Sequence, residues 1–462
     1  MADKTYFFCG IGGSGMSALA LILLQKGCCV YGSDRGHDKG ETPEKFGALA
    51  QAGIKLFPQD GSGVSDDVDV LVVSSAVEES VPDVRQAIHQ GIPVRKRAAV
   101  LAGQVNASRG ICIGGTSGKT TVTGMVAHML YELGLDPSVM NGGQIVSFLE
   151  KGLPGNARAG AGDLFITETD ESDGSIALFE PAIAVLNNIT LDHKPLEELR
   201  PLFSDFLGRA GEAAIVNLDD PEAAQLAALH ENTITFAIDN PAGRIRAEDI
   251  SASGFTASDM DRRESIGLSL PVPGRHNILN ALAALSVATA LGISLAQAGQ
   301  ALESFRGVKR RFEIVGTWNG ITVLDDFAHN PDKIAATLNT LHETNGRIIA
   351  IFQPHGFGPT RLLKDGLIET FSTHLSDTDI LLMPEIYYAG GTANKDISSS
   401  NIIDAVVANG KTALFLESRA AIRTFLTDNA RPGDRIVVMG ARDDTLPEFA
   451  FSILESLKQK AA

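Results

Sequence analysis

The sequence predicts an α/β fold of mostly parallel sheets with helices on both faces, and three observations support this prediction. Short apolar runs typical of buried strands alternate with stretches of helical periodicity such as Gly15–Lys26 and Thr120–Leu133. Three of the runs, Tyr6–Cys9, Ile111–Ile113 and Ile321–Leu324, lead into loops of unusual composition, where open α/β sheets bind ligands. Hydrophobic residues make up 44% and charged residues 21% of the chain, as expected for a folded globular protein.

Further apolar runs and two polar breaks indicate three domains. The length of 462 residues suggests roughly three domains at about 150 residues each. Polar breaks at Ala102–Gly110 and Ser304–Arg311 predict divisions into residues 1–106, 107–309 and 310–462. The additional candidates for buried strands are Val70–Val73, Leu164–Ile166, Ile183–Leu186, Ala214–Val216, Ile348–Ile351, Ile380–Met383, Ala413–Leu416 and Ile436–Met439.

Charge and cysteine usage exclude several classes of protein. Lys and Arg number 39 against 56 Asp and Glu, and the net charge of −17 argues against a nucleic-acid partner or an anionic membrane surface. No apolar run approaches about 18 residues, so no membrane insertion is expected. The four cysteines form no CxxC pair and the N-terminus lacks a signal-peptide pattern, so we expect a cytoplasmic protein. We expect its working form to be a monomer or a homodimer.

The first strand runs into a glycine loop that fits the pattern G-x-G-x-x-G. Such glycines let the backbone approach a diphosphate at a helix N-terminus, and an acid ending the next strand binds a ribose hydroxyl. A UDP-linked sugar fits this chemistry as well as NAD does, and a turn without a ligand is the structural alternative. The candidate substrate-binding residues here are Gly10, Gly12, Gly13, Ser14, Gly15 and Asp34.

A second glycine loop, GGTSGKTT, follows the strand Ile111–Ile113 and opens a helix. Its backbone N–H groups can hold phosphate oxygens, while Lys119 supplies a positive charge and Thr120 a hydroxyl for Mg²⁺. The match to a Walker A motif is incomplete, because the position six before Lys119 is Ile113 and not glycine. The candidate nucleotide-binding residues are Gly115, Thr116, Ser117, Gly118, Lys119, Thr120 and Thr121.

Acidic residues and a histidine follow the next two strands. The segment Thr167–Asp173 carries four carboxylates, which repel one another unless they are solvated or hold a cation. The later segment NNITLDH brings His193 to the end of another strand. Glu168 and His193 are therefore candidate metal ligands; a solvated acidic loop and a structural histidine are the alternatives.

These motifs together resemble the Mur ligases, ATP-dependent amide-forming ligases of peptidoglycan assembly, and within them the alanine-adding branch. The resemblance covers nearly the whole chain in order, through GIGGSGMSALA, GSD, VVSSAV, GIPVRKRAAVLA, GGTSGKTT, NGG, ETDESDGS, NNITLDH, NLDDP, GRHNILNALAA, KRRFE, LDDFAHNP, FQPH and VVMGARDD. It implies a Rossmann-like domain that binds a UDP-sugar, a P-loop ATPase-like central domain and a Rossmann-like C-terminal domain that binds the incoming amino acid.

The resemblance also implies an activity and its reactants. A member of this branch uses ATP and Mg²⁺ to join an amino acid, here expected to be L-alanine, to the carboxylate of UDP-N-acetylmuramate through an acyl phosphate. Ser74 and Ser75 of VVSSAV would bind the UDP-sugar. On the ATP side, Lys119 would bind the β- and γ-phosphates, with His276 and Asn280 nearby on one face of a helix. Thr120, Glu168 and His193 would hold the metal ions.

The C-terminal motifs carry the remaining expected roles. Arg311, Asp326 and His329 would lie where the C-terminal domain closes over ATP, and with Lys119 and His193 they form the expected catalytic set. His355 would approach the incoming amino acid, and Arg361 would meet its carboxylate. Helix capping, a surface ion pair and a turn residue are the structural alternatives for His276 and Asn280, for Arg311 and for His355.

Three features depart from the resembled pattern. Ser117 stands where the family often has histidine, and the stretch after FQPH reads GFGPTR, in which Arg361 is the only arginine. No lysine occurs between Lys194 and Lys309, so a carbamylated lysine bridging the metals is not expected, as in the alanine-adding branch.

Three other functions stay open from the sequence. A ligase of the same family could attach a recycled tripeptide, L-Ala-γ-D-Glu-meso-diaminopimelate, to the same acceptor. A nicotinamide oxidoreductase could use the first glycine loop but would leave GGTSGKTT, Glu168 and His193 unexplained. A non-catalytic nucleotide-binding homologue would bind ATP without turnover that depends on an amine.

Overall fold

A computed structural model describes residues 4–74, 77–190, 194–251, 254–388, 394–441, 443 and 445–460. The chain forms two compact units, one of residues 1–271 with 276–307 and the other of residues 272–275 with 308–462. Three sheets with flanking helices build these units, so the prediction of an α/β fold is confirmed. No helix within the described ranges is both long enough and apolar enough to cross a membrane.

The N-terminal sheet of the first unit is entirely parallel, in the order β3-β2-β1-β4-β5. Its strands are β1 Thr5–Cys9, β2 Cys29–Ser33, β3 Lys55–Phe57, β4 Val70–Val73 and β5 Val94–Lys96. Its helices are α1 Ser14–Gln25, α2 Arg35–Asp38, α3 Pro43–Gln51, α4 Pro82–Gln90 and α5 Arg97–Asn106. The order reverses direction at β1, so the glycine loop after β1 lies at a topological switch point.

The second sheet of the same unit has ten strands in the order β15-β14-β13-β12-β11-β10-β6-β9-β7-β8. Its strands are β6 Arg109–Gly114, β7 Ser138–Met140, β8 Ala157–Arg158, β9 Leu164–Glu168, β10 Ile183–Leu186, β11 Ala213–Asn217, β12 Thr233–Ala237, β13 Ile245–Ser251, β14 Gly254–Asp259 and β15 Glu264–Leu268. Its helices are α6 Lys119–Glu132, α7 Val146–Glu150, α8 Leu196–Gly208, α9 Pro221–Ala224, α10 Arg275–Ala290 and α11 Leu295–Leu302, with a 3₁₀ turn at Ser175–Leu178. Because residues 1–106 share a compact unit with this sheet, their separation as a domain stays a prediction.

The second unit contains one six-stranded sheet, in the order β16-β17-β21-β18-β19-β20. Its strands are β16 Glu313–Trp318, β17 Ile321–Asp326, β18 Ile348–Phe352, β19 Ile380–Met383, β20 Ala413–Phe415 and β21 Arg435–Met439. Its helices are α12 Pro331–His342, α13 Phe357–His374, α14 Ser399–Ala408, α15 Arg419–Asn429 and α16 Leu446–Lys460. Two apolar clusters pack on this sheet, one containing α12, α13 and α14 residues and the other α15 and α16 residues.

The predicted strands agree with the structure where an apolar run is buried. Val70–Val73, Ile183–Leu186 and Ile380–Met383 coincide with β4, β10 and β19. The strands β13, β14 and β15, which pair antiparallel with one another, were not predicted, because their polar residues leave no continuous apolar run. The sheets are therefore mostly parallel, with antiparallel additions at their edges.

Candidate active site

Three adjacent parallel strands bring the predicted nucleotide-binding loop close to Glu168, one of the predicted metal ligands. β6 lies between β9 and β10, so the glycine loop after β6 is flanked by the ends of both neighbours. Glu168 is the last residue of β9, and Asn187 follows β10. The carboxyl ends of parallel strands form one edge of the sheet, and there the chain places a glycine loop, an acid and two amides side by side.

Asn188 holds the glycine loop in shape through several hydrogen bonds. Its Oδ1 accepts hydrogen bonds from the backbone N–H of Ser117 (2.8 Å) and from Thr116 Oγ1 (3.0 Å). Its Nδ2 donates to Ser117 Oγ (2.9 Å). Gly118 lies in the left-handed region at φ +80° and is the N-cap of α6, which begins at Lys119 and includes Thr121 in its first turn. Asn188 was present in the sequence motif but was not predicted as a site residue.

Lys119 points back over its own loop and pairs with an acid from the neighbouring strand end. Its Nζ donates to the carbonyl of Gly115 (2.5 Å) and lies 2.7 Å from Glu171 Oε2. The Lys119 side chain is 17% exposed and that of Glu171 only 3%. The sequence indicated an acidic segment here, but only the fold selects Glu171 as the partner of the lysine.

Thr120 and Glu168 form the oxygen-rich part of the site. The Thr120 hydroxyl donates to Glu168 Oε2 at 2.8 Å. A Cβ added at Gly142 would lie 2.1 Å from Glu168 Oε1, so the carboxylate depends on a glycine at that position. A hydroxyl and a carboxylate are hard oxygen donors of the kind that Mg²⁺ prefers, and these residues therefore fit a magnesium ion. Within the described ranges, no group of three or more His, Cys, Asp and Glu side chains forms a metal centre.

Asn280 approaches the same loop from α10. It is 3% exposed, and its Oδ1 accepts a hydrogen bond from Asn187 Nδ2 at 3.4 Å. A Cβ at Gly118 would lie 2.9 Å from Asn280 Oδ1, so the glycine allows the helix to pack against the loop. His276 lies one turn earlier on α10 and is exposed. Two predicted residues, His193 and Ser75, lie outside the described residues.

The first glycine loop is closed by the residues that follow β2. The amides of Gly10 and Ile11 donate to the carbonyl of Ser33, at 2.8 and 3.0 Å. Asp34 accepts hydrogen bonds on both carboxylate oxygens, from the amides of Gly12 and Gly36, each at 2.8 Å. Asp34 thus fixes the loop and caps α2, whereas its predicted contact with a ribose stays a prediction.

The other end of the loop opens α1, where Ser14 and Gly15 begin the helix next to Gly13. The Arg97 guanidinium lies close to it, because a Cβ at Gly15 would be 3.3 Å from its Nε. Ser74 follows β4 on the adjacent strand and is partly buried. Arg97, the first residue of α5, was not predicted as a site residue, although a cation here suits an anionic ligand.

In the second unit, one aromatic ring gathers two arginines and a histidine. The guanidinium carbons of Arg310 and Arg311 lie 4.9 and 5.3 Å from the ring centroid of Phe327. The His329 ring meets the same ring edge to face, with centroids 5.3 Å apart. Such contacts orient a guanidinium without neutralising its charge. The predicted residues Arg311 and His329 therefore lie close together, since both contact the ring of Phe327.

Two neighbouring acids at the end of β17 have different environments. Asp326 accepts a hydrogen bond from the amide of Phe312 at 3.1 Å and another from the Thr337 hydroxyl. Asp325 is fully buried, and this burial raises its pKa to about 6 even though Arg310 lies 3.5 Å away and acts in the opposite direction.

His355 and Arg361 lie at the end of β18 and on α13. The ring of His355 packs on that of Tyr387, with centroids 5.4 Å apart, and the amide of Gly356 donates to the Tyr387 carbonyl at 2.8 Å. Arg361 forms an ion pair with Asp396. The predicted role of Arg361 toward a substrate carboxylate stays a prediction, and within the protein that charge already has a partner.

The chain belongs to the Mur ligase family. Residues 5–109 match the Mur ligase family catalytic domain, residues 113–288 the Mur ligase middle domain, and residues 310–442 the Mur ligase glutamate ligase domain. The resemblance inferred from the sequence motifs is thereby confirmed.

Relatives of this chain include a well-defined group of ligases. It is 36% identical over 448 residues to the UDP-N-acetylmuramate–L-alanine ligase of Pelotomaculum thermopropionicum, covering 94% of each chain. The crystal structure of the UDP-N-acetylmuramate–alanine ligase of Thermotoga maritima is similar with a TM-score of 0.78 and 29% identity, over 98% of this chain and 99% of that one. A murein peptide ligase of Psychrobacter arcticus is similar with a TM-score of 0.69 and 26% identity, over 98% of both chains.

Proposed function

We propose that this protein is an ATP-dependent ligase that joins L-alanine to the carboxylate of UDP-N-acetylmuramate in peptidoglycan synthesis. The observation that carries the proposal is the cluster of Lys119, Thr120 and Glu168 at one sheet edge. The similarity to alanine-adding ligases over 94% of the chain supports the choice of substrates.

The chemistry explains why such a ligase needs a triphosphate. A carboxylate is a poor electrophile, and transfer of the γ-phosphoryl group of ATP to it gives an acyl phosphate with a good leaving group, together with ADP. The amine of alanine then attacks the acyl carbon, the C–O bond to phosphate breaks, and the amine loses a proton. The products are an amide, ADP and inorganic phosphate.

Different residues of the first unit bind the phosphates and the metal ion. Lys119 binds the β- and γ-phosphates in place of its contact with Glu171, and the loop Gly115–Gly118 donates backbone N–H groups to them. Thr120 and Glu168 would hold Mg²⁺ together with His193, and the bound metal would reduce the repulsion between phosphate and substrate carboxylate. Asn280 supports this loop from α10.

The other predicted residues complete the proposal. The loop Gly10–Gly15 binds the UDP-sugar. Asp34 stabilises this loop by a hydrogen bond, and Arg97 places a positive charge next to it. Arg311 and His329, which both contact the Phe327 ring, are expected to bind the transferred phosphoryl group. Asp326 holds the backbone next to Arg311 by accepting a hydrogen bond from the amide of Phe312. We place the reaction in the cytoplasm, where ATP and the UDP-sugar are available, with a monomer or a homodimer as the working form.

An ADP-release assay tests this function. Release should require UDP-N-acetylmuramate, Mg²⁺ and L-alanine together, and omission of any one should reduce it to background. Lys119→Ala should abolish release, whereas Lys151→Ala, which removes an exposed lysine of the same unit, should leave it unchanged. ADP release that is independent of the amine would contradict the ligase assignment.

The murein peptide ligase among the structural relatives supports a second candidate, in which the amine belongs to a tripeptide. Supplying L-Ala-γ-D-Glu-meso-diaminopimelate instead of L-alanine distinguishes the two. The alanine-adding function predicts the higher kcat/KM for the free amino acid.

A further inference from the structure

A lysine in the second unit is held by two aromatic rings close to the predicted amino-acid site. Lys395 Nζ lies 5.1 Å from the ring centroid of Tyr388 and 5.8 Å from that of Phe357. The two rings themselves meet edge to face, with centroids 5.3 Å apart. We refer to Phe357, Tyr388 and Lys395 as the aromatic–lysine cluster.

The cluster is next to His355 in both segments that build it. Phe357 follows His355 by two residues and begins α13. Tyr388 directly follows Tyr387, whose ring packs on His355 and whose backbone pairs with it in a parallel bridge. The cluster therefore lies at the end of β18 where His355 is expected to approach the incoming amine.

The two cations of this region differ in their charge partners. Arg361 forms an ion pair with Asp396, and it also donates to the carbonyl of Asn394 at 3.1 Å. Lys395 contacts the faces of two rings, and among the described residues it has no carboxylate within ion-pair distance. An aromatic ring orients an ammonium group and leaves its charge available to an anion.

We propose that Lys395 binds the carboxylate of the incoming amino acid, as the specificity-determining cation of the second unit. This inference rests on the proposed ligase function and names the residue that recognises its amine substrate. Free amino acids and peptides carry a carboxylate that stays anionic at neutral pH, and an ammonium fixed by two rings forms a charge-assisted hydrogen bond to it. Arg361 serves a different purpose, which is to tie the 394–396 segment to α13 through Asp396 and Asn394.

The test compares substrates that differ only in the carboxylate. Phosphate release is measured with L-alanine and with L-alaninamide for the wild type, Lys395→Gln, Lys395→Arg and Arg361→Gln, each at saturating ATP and UDP-N-acetylmuramate. Lys458→Gln is the matched control, because it removes a lysine of the same unit that pairs with Glu455 on α16.

For Lys395→Gln we expect the KM for L-alanine to rise on the order of 10- to 100-fold, the change expected on loss of a charged hydrogen bond. The KM for ATP should stay unchanged, and the preference for L-alanine over L-alaninamide should largely disappear. Lys395→Arg should restore most of that preference, and Lys458→Gln should behave as the wild type.

Two results would overturn the inference, and they are distinct from failure of the function itself. An unchanged preference for L-alanine in Lys395→Gln would exclude the role of this lysine. A loss of that preference in Arg361→Gln alone would assign the carboxylate to the arginine. Absence of amine-dependent phosphate release in the wild type, with alanine or any other amine, would instead contradict the proposed function and this inference with it.

Discussion

Glu171 and Lys119 form an ion pair of 2.7 Å in the glycine loop, with the carboxylate almost completely buried. A buried carboxylate needs a cation, and Lys119 provides it here, in the position where we propose that the lysine binds phosphate. In the function proposed above, a bound ATP would replace Glu171 as the partner of Lys119. We expect this ion pair to keep the lysine oriented between turnovers and to lower its net affinity for a triphosphate.

The first prediction concerns the stability of this pair. Lys119→Met leaves Glu171 buried without its cation, so the free energy of unfolding should fall, and adding Glu171→Gln should recover much of the loss. A double-mutant cycle measured by urea denaturation should give a coupling energy of about 1–3 kcal/mol. Additive effects of the two substitutions would mean that the pair contributes nothing to stability.

Gly142 provides a test of the proposed metal position. Gly142→Ala would bring a Cβ to 2.1 Å from Glu168 Oε1 and displace that carboxylate. We expect the Mg²⁺ concentration for half-maximal ADP release to rise at least several-fold. Gly103→Ala is the control, since no atom lies within 4 Å of the added Cβ on the exposed side of α5, and it should leave the Mg²⁺ dependence as it is.

A substitution at Asp34 should change the KM for the UDP-sugar and leave the KM for ATP unchanged. Asp34→Asn replaces one acceptor oxygen by an N–H₂ donor, which cannot accept a hydrogen bond. The backbone N–H of either Gly12 or Gly36 therefore loses its acceptor. Because the loop that we propose to bind the UDP-sugar would lose one of its internal hydrogen bonds, the KM for UDP-N-acetylmuramate should rise by about tenfold, which corresponds to about 1.4 kcal/mol of binding free energy. Equal increases in the KM for ATP would argue that the substitution disturbs the whole unit.

His128 makes stability dependent on pH. It is fully buried on α6, with hydrogen bonds of 2.9 Å to the hydroxyls of Ser147 and Ser304. Burial lowers its pKa to about 4 from an ordinary value of 6.5. Between these pH values the unfolded chain binds more protons than the folded one, so stability is complete above pH 6.5 and falls as the pH drops toward 4.

Between pH 6.5 and a pH well below 4, the lowered pKa of His128 reduces the free energy of unfolding by about 3 kcal/mol in total. Comparison of the free energy of unfolding at pH 5 and pH 7 should show a smaller pH-dependent loss for His128→Gln than for the wild type. His89→Gln removes an exposed histidine on α4 and should keep the pH dependence of the wild type. An identical pH dependence for all three proteins would contradict a neutral buried His128.

Much of the fold was predictable because buried parallel strands consist of continuous apolar runs, as in Ile183–Leu186. The strands β13, β14 and β15 at one end of the ten-stranded sheet were missed, since their polar residues leave no continuous apolar run. In the site, the motif order indicated the family, the glycine loop and the acidic segment. It did not distinguish Glu171 from the other acids of that segment, nor did it single out Asn188.

The sequence by itself determined the class of fold, the two glycine loops and the residue types available for phosphate chemistry, because these depend on local spacing and on apolar periodicity. Only the tertiary structure decided which partner each charged side chain has. Lys119 pairs with Glu171, Asp34 accepts hydrogen bonds from backbone N–H groups of the first glycine loop, and Arg361 pairs with Asp396. These partners lie up to 52 residues apart in the chain. Lys119 and Glu171 come together because β6 and β9, which are separated in sequence, are adjacent parallel strands that end at the same edge of a sheet.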